Sequence, residues 1–198
     1  MRKVKDYYFK KAKKDKYPAR SVFKLEEIQK KYRLFRRGDA ILDLGCHPGS
    51  WSLYASEVVG PSGLVIGVDL QETNKEPRDG GAPIHWLCGD ITDPELVARV
   101  RALRPAFKAV ISDIAPKTTG NRWADHQQSM RLVLQTLELA HLLLHEKGHY
   151  LGKIFQGEDM PALVSDLKSQ FGFVKVIKPQ SSRKESREVF LLGMDYRG

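Results

Sequence analysis

The chain has 198 residues, of which 41% are apolar and 29% are charged, a composition typical of one globular domain and not of a disordered or fibrous chain. Its two cysteines, Cys46 and Cys88, are too few for a disulfide scaffold. No apolar run approaches the length of a membrane span, and residues 1–6 lack the apolar core of a secretory signal. We therefore expect a cytoplasmic monomer without membrane contact.

The net charge of +9 is concentrated at the N-terminus. Residues 1–20 contain nine Lys or Arg and two Asp, a net charge of +7, which leaves +2 for the other 178 residues. Four aromatic residues alternate with these charges: Tyr7, Tyr8, Phe9 and Tyr17. Lysines follow a phosphate backbone and aromatic rings stack on unpaired bases, so we interpret residues 1–17 as a basic arm that binds nucleic acid. The alternative is a solvated, disordered tail.

A short buried strand ending at Leu44 is the first strand of the chain, and it follows a helix predicted over residues 18–32. Gly45 and Gly49 come directly after the strand in a turn, and another helix begins near Ser50. A strand, a glycine-bearing turn and a helix start together form a site for a nucleotide-like ligand. The alternative is that the glycines serve turn geometry alone.

The spacing of the glycines narrows the choice of ligand. It is not the G-x-G-x-x-G of dinucleotide-binding proteins, and no Lys-Ser or Lys-Thr follows, which excludes a phosphate-binding P-loop. Asp43 precedes the turn, and Asp69 lies 20 residues after Gly49 at the end of the next strand, where a carboxylate can accept ribose hydroxyls. An acidic site without a phosphate cradle suits S-adenosyl-L-methionine, a cationic adenosine cofactor. The six histidines are scattered, so we expect no metal site.

Strands and helices alternate through the rest of the chain. Further strands are predicted over 64–70, 84–88, 107–111, 149–155, 173–178 and 188–194. Further helices are predicted over 94–103, 125–145 and 160–170, with a polar, mobile loop over 71–83. This alternation predicts an α/β fold for residues 18–198, with a single doubly wound, mostly parallel, seven-stranded sheet. The last two strands lack a helix between them, so the last strand is expected to be antiparallel.

Five short motifs give the chain a specific resemblance to a known family. They are Arg20–Leu25, Asp43–Gly45 with Pro48–Trp51, Ser112–Pro116, Gly152–Lys153 and Ser186–Glu188. Together they resemble the FtsJ/RrmJ (RlmE-type) ribosomal RNA large subunit 2′-O-ribose methyltransferases, over nearly the whole chain from about Lys13. The resemblance implies a Rossmann-like methyltransferase fold that uses S-adenosyl-L-methionine. It implies a catalytic tetrad at Lys24, Asp113, Lys153 and Glu188, and cofactor contacts from Gly45, Gly49, Trp51, Asp69, Asp90 and Asp113.

Two positions depart from the family's pattern. Ser50 stands where a second glycine is usual, and its hydroxyl is expected beside the cofactor. Lys117 stands where asparagine usually follows the Asp-x-Ala-Pro motif. Neither belongs to the tetrad, so these departures bear on loop contacts and on the choice of RNA.

The chemistry of ribose methylation explains why such a tetrad is needed. A ribose 2′-hydroxyl is a poor nucleophile until its proton is removed, so the reaction needs in-line positioning and a base. A free lysine has a pKa of about 10.4 and is protonated at neutral pH. Lys24, as a second cation, is expected to lower the pKa of Lys153, whereas Asp113 would raise it but orient the amine. We therefore expect Lys153 to be the general base, with Glu188 orienting the lysines or the ribose.

The leading hypothesis is 2′-O-methylation of a ribose, that of a uridine, in large-subunit ribosomal RNA or in the assembled large subunit. Methylation of transfer RNA is the same chemistry on another substrate. A non-catalytic ribosome-assembly factor would keep the RNA contacts without turnover, although the complete tetrad argues against it. A small-molecule methyltransferase is disfavoured by the basic arm. A second basic group, Arg183, Lys184 and Arg187, is an alternative RNA contact if the arm is passive.

Overall fold

A sheet of seven strands organises the chain in this computed structural model, which describes residues 2–183 and 185–198, with side chains from residue 7 onward. The strands are β1 (Ala40–Leu44), β2 (Leu64–Asp69), β3 (Ile84–Cys88), β4 (Phe107–Ser112), β5 (Leu144–Phe155), β6 (Phe171–Ile177) and β7 (Glu188–Tyr196). The helices are α1 (Arg2–Lys14), α2 (Val22–Tyr32), α3 (Ser50–Val59), α4 (Pro94–Leu103), α5 (Arg122–Leu143) and α6 (Met160–Gln170). Lys184 and the side chains of residues 1–6 lie outside the described part.

The strand order in the sheet is β3-β2-β1-β4-β5-β7-β6. Neighbours from β3 to β5 are parallel, whereas β7 runs antiparallel to both β5 and β6. This confirms the predicted α/β fold with a mostly parallel seven-stranded sheet and an antiparallel last strand. The order reverses between β1 and β4, and ligands of such sheets bind outside the carboxyl ends of the strands at that reversal.

The core lies on both faces of the sheet because the central strands are buried along their whole length. All five residues of β1 are buried, and its neighbouring residues Ile41 and Leu42 belong to different hydrophobic clusters. A third, smaller cluster joins Ala12 of α1 to Val22 and Phe23 of α2. The basic arm therefore contains a helix that packs on the domain, and residues 7–14 are not a disordered tail.

Two helices begin at residues other than those predicted. The first domain helix begins at Val22 and not at Pro18, because the preceding residues bond to α3: the Ala19 amide donates to Ser50 Oγ at 2.7 Å. Helix α5 begins at Arg122 and not at Asp125, because the side chain of Asn121 accepts the first free amides of the helix.

Strand β5 also begins earlier than predicted, at Leu144 and not at His149. Leu144 pairs with Phe107 of β4, and a register irregularity separates this pair from the next one at Ala109. The residues from 71 to 83 contain neither helix nor strand. No helix in the described ranges is both long and apolar enough to cross a membrane.

Candidate active site

A cavity of about 530 Å³ opens at the carboxyl ends of β1 to β4, where the strand order reverses. Four of the predicted site residues line it: Gly45, Asp69, Asp90 and Asp113. Cavities that bind small molecules commonly enclose about 300–1,000 Å³, so this one is large enough for an adenosine ligand. Three carboxylates on its wall favour a ligand that offers hydroxyl and amino donors and a positive charge.

Gly45 and Gly49 shape the turn between β1 and α3. Gly45 has φ +76°, and a Cβ there would lie 2.3 Å from the Ile114 side chain, so only glycine allows the turn to contact the chain after β4. Gly49 has φ +104°, and a Cβ there would come within 3.2 Å of Trp86. Gly49 directly precedes the first residue of α3 and does not line the cavity.

Asp69 fastens the glycine turn to the loop after β2. Its Oδ2 accepts the amide of His47 at 3.0 Å, and its Oδ1 accepts the amide of Gln71 at 2.9 Å. Each carboxylate oxygen has a second lone pair, so Asp69 retains the capacity to accept ribose hydroxyls. The positioning role of Asp69 could not be anticipated from sequence, because its partners are backbone amides.

Asp90 is fixed within its own loop. Its Oδ1 accepts the amide and the hydroxyl of Thr92, each at 2.8 Å. These two hydrogen bonds hold the pKa of Asp90 below its ordinary value, so the carboxylate is charged at neutral pH.

Trp51 and Ser50 are buried between α3 and the segment before α2. Trp51 is only 3% exposed; its indole nitrogen donates to the Ser21 carbonyl at 3.0 Å, and its ring packs 5.7 Å from that of Phe190. The Ser50 hydroxyl is buried and accepts the Ala19 amide. Neither residue lines the cavity, because both face the segment that leads into α2. Their contribution to the site is to fix that segment against α3.

Several residues that line the cavity were not predicted. They include His47, Gln71, Ile114, Lys117, Leu132 and Gln135. His47 lies inside the glycine turn, and its Nδ1 is 3.2 Å from the hydroxyl of Thr73, so its place in the turn was a signal available in the sequence. Leu132 and Gln135 come from α5 and had no such signal. The described residues contain no group of three or more His, Cys, Asp or Glu that could hold a metal ion.

The four tetrad residues come together beside the cavity. Lys24 Nζ lies 2.6 Å from Glu188 Oε1 and 3.9 Å from Asp113 Oδ1, and Lys153 Nζ lies 3.0 Å from the same Asp113 oxygen. The order Lys153–Asp113–Lys24–Glu188 therefore alternates positive and negative groups and has no net charge. Asp113 also lines the cavity, so it is the residue common to both regions.

The Lys153 amine is fixed by both the backbone and the side chain of Asp113. Its Nζ donates a hydrogen bond to the Asp113 carbonyl, whereas Asp113 Oδ1 is buried and makes only ionic contact without hydrogen-bond geometry. Lys153 is 9% exposed, because β5 is buried from Gly148 to Ile154. Both of these contacts of the amine are to Asp113, so a position on Nζ remains for a substrate hydroxyl, and only the neutral form of the amine has a lone pair there to accept a proton.

Glu188 is charged because its cationic neighbours outweigh the effect of burial. Burial raises the pKa of this carboxyl, but the charge and hydrogen bond of Lys24, the charge of Lys153 and the Ser182 hydroxyl together hold the pKa below its ordinary value. Ser182 Oγ donates to Glu188 Oε1 at 3.2 Å. Lys24 therefore has a charged partner at neutral pH.

A second, smaller cavity of about 270 Å³ opens on the other side of the tetrad. It is lined by Arg20, Ser21, Lys24, Arg183, Ser186 and Glu188. The Arg20 guanidinium donates through Nη2 to the Ser181 carbonyl at 3.0 Å, while its buried Nη1 has no hydrogen-bond partner in the described part of the chain. The tetrad thus lies between an acidic cavity and a basic one.

Comparisons with known proteins agree with this architecture. The chain is 61% identical to the ribosomal RNA large subunit methyltransferase E of Desulfotalea psychrophila, with 100% of this chain and 98% of the relative covered. The protein of the same name from Syntrophobacter fumaroxidans is 45% identical, with 98% and 97% covered. A crystal structure of a Plasmodium falciparum protein described as a ribosomal RNA methyltransferase superposes with a TM-score of 0.79 at 25% identity, covering 92% of this chain and 100% of that one.

The family model of the FtsJ-like methyltransferases matches residues 17–196, which include the glycine turn, the tetrad and all seven strands. A match over this length, together with full-length relatives of such identity, confirms the resemblance noted from the motifs. The chain belongs to the FtsJ-like methyltransferase family and is an enzyme.

Proposed function

We propose that this protein transfers a methyl group from S-adenosyl-L-methionine to a ribose 2′-hydroxyl, that of a uridine, in large-subunit ribosomal RNA, with Lys153 as general base. The observation that carries this proposal is the position of Asp113. It lines the acidic cavity and also contacts Lys24 and Lys153. A methyl donor in the cavity and a ribose hydroxyl at the tetrad would therefore both lie next to Asp113.

The acidic cavity fits S-adenosyl-L-methionine by the chemistry of its wall. Asp69 and Asp90 offer acceptors for ribose hydroxyls and amino groups, and Gly45, which also lines the cavity, has no side chain that would occupy it. When bound, this cofactor supplies a methyl group already activated by the positive sulfur. The protein then has to position the acceptor, exclude water and remove one proton.

The tetrad divides that work among its residues. In this proposal Lys153 accepts the proton of the ribose hydroxyl, and Asp113 orients the amine through its backbone and its carboxylate. Glu188 fixes Lys24, whose ammonium is thereby available to the second cavity. This arrangement is preorganised, since the four side chains form a continuous series of contacts.

RNA as the substrate is supported by the basic surfaces on the tetrad side and by the names of the relatives. Helix α1 packs through Ala12 and the Tyr8 ring, which lies 5.5 Å from that of Phe23, and this leaves Tyr7 and Phe9 exposed. Exposed lysines and aromatic rings on one helix suit a phosphate backbone and unpaired bases. We include residues 1–17 in the proposal as an RNA-binding arm of a cytoplasmic, monomeric enzyme.

The substrate is tested by offering radiolabelled S-adenosyl-L-methionine with naked ribosomal RNA, unmethylated large subunits or bulk transfer RNA, and then mapping the labelled ribose. Label on one 2′-oxygen of the large-subunit RNA is the expected result. Label found only in transfer RNA would mean that transfer RNA is the substrate, and the proposed chemistry would still hold. RNA binding without label in any sample, with the cofactor bound, would indicate the assembly factor instead.

The arm is tested by replacing three exposed lysines of α1, Lys10, Lys13 and Lys14, with alanine. Each phosphate contact makes log affinity fall with log salt by about 0.7–0.9, so the slope should flatten by about two units. The KM for RNA should rise more than kcat falls, because the arm binds ground and transition states alike. Identical slopes would mean that the RNA contacts lie elsewhere, for example at Arg183 and Arg187.

A further inference from the structure

Trp123 is a large aromatic side chain left in solvent in the first turn of α5. It is 63% exposed, whereas Trp51 is buried and Trp86 is half-buried with its indole nitrogen bonded to the Lys75 carbonyl. Its backbone is fixed, since the Asn121 side chain accepts the Trp123 amide at 3.0 Å. An exposed indole does not contribute the free energy that burial of an aromatic ring supplies to folding. Its position on a fixed backbone therefore favours a role in binding.

The topology places Trp123 at the rim of the candidate site. Helix α5 starts at the edge of the sheet where β4 ends, so its first turn lies on the same side as Asp113. Arg187 links this turn to the tetrad strands: its guanidinium donates to the Arg122 carbonyl at 3.2 Å and also to the Gln156 carbonyl. Arg187 directly precedes Glu188, and Gln156 directly follows β5.

The charges around Trp123 are mixed. Arg122 and Lys117 are exposed on the same loop and helix start, Arg183 and Glu185 are exposed on the loop before β7, and Glu158 is exposed on the loop after β5. A phosphate backbone alone prefers a uniformly positive surface, whereas the face of a nucleobase stacks on an indole regardless of nearby carboxylates. The ring therefore fits an unpaired base better than it fits a phosphate.

We propose that Trp123 stacks on an unpaired base of the RNA, next to the nucleotide whose ribose is methylated. This inference rests on the proposed function, because it takes the substrate to be RNA. Trp123 then acts as a substrate-positioning residue. The carbonyl of its neighbour Arg122 accepts a hydrogen bond from Arg187, which directly precedes Glu188, and the target ribose is expected at the tetrad that includes Glu188. We assign the stacked base to a neighbour of the target because the Arg187 side chain connects the turn that carries Trp123 to the residue before Glu188.

The first test compares Trp123→Ala, Trp123→Phe and a control variant, Leu142→Ala, which removes an exposed side chain from the far end of the same helix. Base–aromatic stacking supplies enough free energy that its loss should raise the KM for RNA about 5- to 100-fold, with kcat within about threefold. Phenylalanine should restore most of the affinity, and the control should match the wild type. An unchanged KM in Trp123→Ala would overturn the inference.

The second test identifies the stacked nucleobase by removing one base of the RNA at a time. RNA substrates with single abasic nucleotides around the target should reveal one position at which Trp123→Ala has no further effect, because the stacked base is already absent. Equal losses at every position would contradict stacking. A loss of activity on assembled subunits but not on naked RNA would assign Trp123 to a ribosomal protein and refute the proposal. Failure of the proposed function is distinguishable, because the wild type would then methylate no RNA.

Discussion

The two halves of the carboxyl edge use the same kinds of residue but pair their charges differently. In the cavity half, Asp69 and Asp90 accept hydrogen bonds from backbone amides and a threonine hydroxyl, which leave their negative charge in place. In the tetrad half, Asp113 and Glu188 each contact a lysine ammonium. The first half therefore retains negative charge that attracts a cation, whereas the second pairs its carboxylates with lysines, one of which is the proposed base.

This difference indicates that affinity and chemistry can be separated by mutation. Residues of the cavity half should change cofactor affinity and leave the chemical step intact, and those of the tetrad half should do the reverse. Asp113 is the exception, because it belongs to both halves.

The largest effect is expected for Lys153→Ala, which removes the proposed base. Loss of a general base typically lowers the rate by about 10²–10⁴-fold, and kcat should fall by this factor while the affinity for S-adenosyl-L-methionine stays within about threefold. Single-turnover methylation and calorimetry measure the two quantities. Lys175→Ala, an exposed lysine on β6, is the control and should behave as the wild type. Turnover within threefold of the wild type would require another base.

Glu188→Gln should destabilise the tetrad half, since it leaves the Lys24 ammonium, 12% exposed, without its closest partner. Removing one member of a largely buried pair costs about 3 kcal/mol. The folded pKa of Glu188 lies below its ordinary 4.5, so its stabilisation is present above pH 4.5 and is lost as the pH falls through the folded value.

The stability difference between the wild type and Glu188→Gln should therefore be full at pH 7 and shrink below pH 4.5 in urea titrations. Glu26→Gln is the matched control, because Glu26 pairs with Lys11 and Lys30 near the surface and such pairs are worth about 0.2–1 kcal/mol. A difference that stays constant down to pH 3 would remove the ion pair as its cause.

Asp69→Ala should weaken binding of S-adenosyl-L-methionine by about 1.5–3 kcal/mol, the cost of losing a charged acceptor, with little change in kcat at saturating cofactor. The variant also releases the amides of His47 and Gln71, so Asp90→Ala, which removes the other carboxylate of the cavity half but releases the Thr92 loop instead, serves as a comparison. Calorimetry measures both. Wild-type affinity in Asp69→Ala would exclude Asp69 from cofactor binding.

The sequence predicted the fold more completely than it predicted the site. Apolar runs located every strand, because a parallel sheet buries its central strands on both faces. The predicted starts of helices were wrong where residues distant in the sequence determine them. Helix α2, for example, starts later than predicted because the Ala19 amide donates a hydrogen bond to Ser50. The motifs named the tetrad, but only the topology brings Lys24 and Glu188 together. The burial of Trp51 and the backbone partners of Asp69 depend on tertiary contacts that no local pattern records.

The smallest effect concerns Asp43, the buried acid near the end of β1, whose pKa depends on carboxylates of both halves. Burial raises the pKa of Asp43 to about 7, partly offset by the Ser52 hydroxyl, which donates at 2.6 Å, and increased further by the charges of Asp113 and Asp69. Since the folded pKa lies above the ordinary 3.8, the stabilisation from this group is full below pH 3.8 and is lost as the pH rises through about 7.

Ser52→Ala should therefore cost about 1 kcal/mol at pH 5, where it removes a hydrogen bond to a neutral carboxyl, and about 1 kcal/mol more at pH 8, where the carboxyl is charged. Ser56→Ala is the control on the same helix: Ser56 donates to the Ala82 carbonyl, which does not titrate, so its cost should be the same at both pH values. Urea unfolding of both variants measures the difference. If the cost of Ser52→Ala were as independent of pH as that of Ser56→Ala, Asp43 would keep one protonation state across this range, and the acid that joins the two halves would be a fixed structural group.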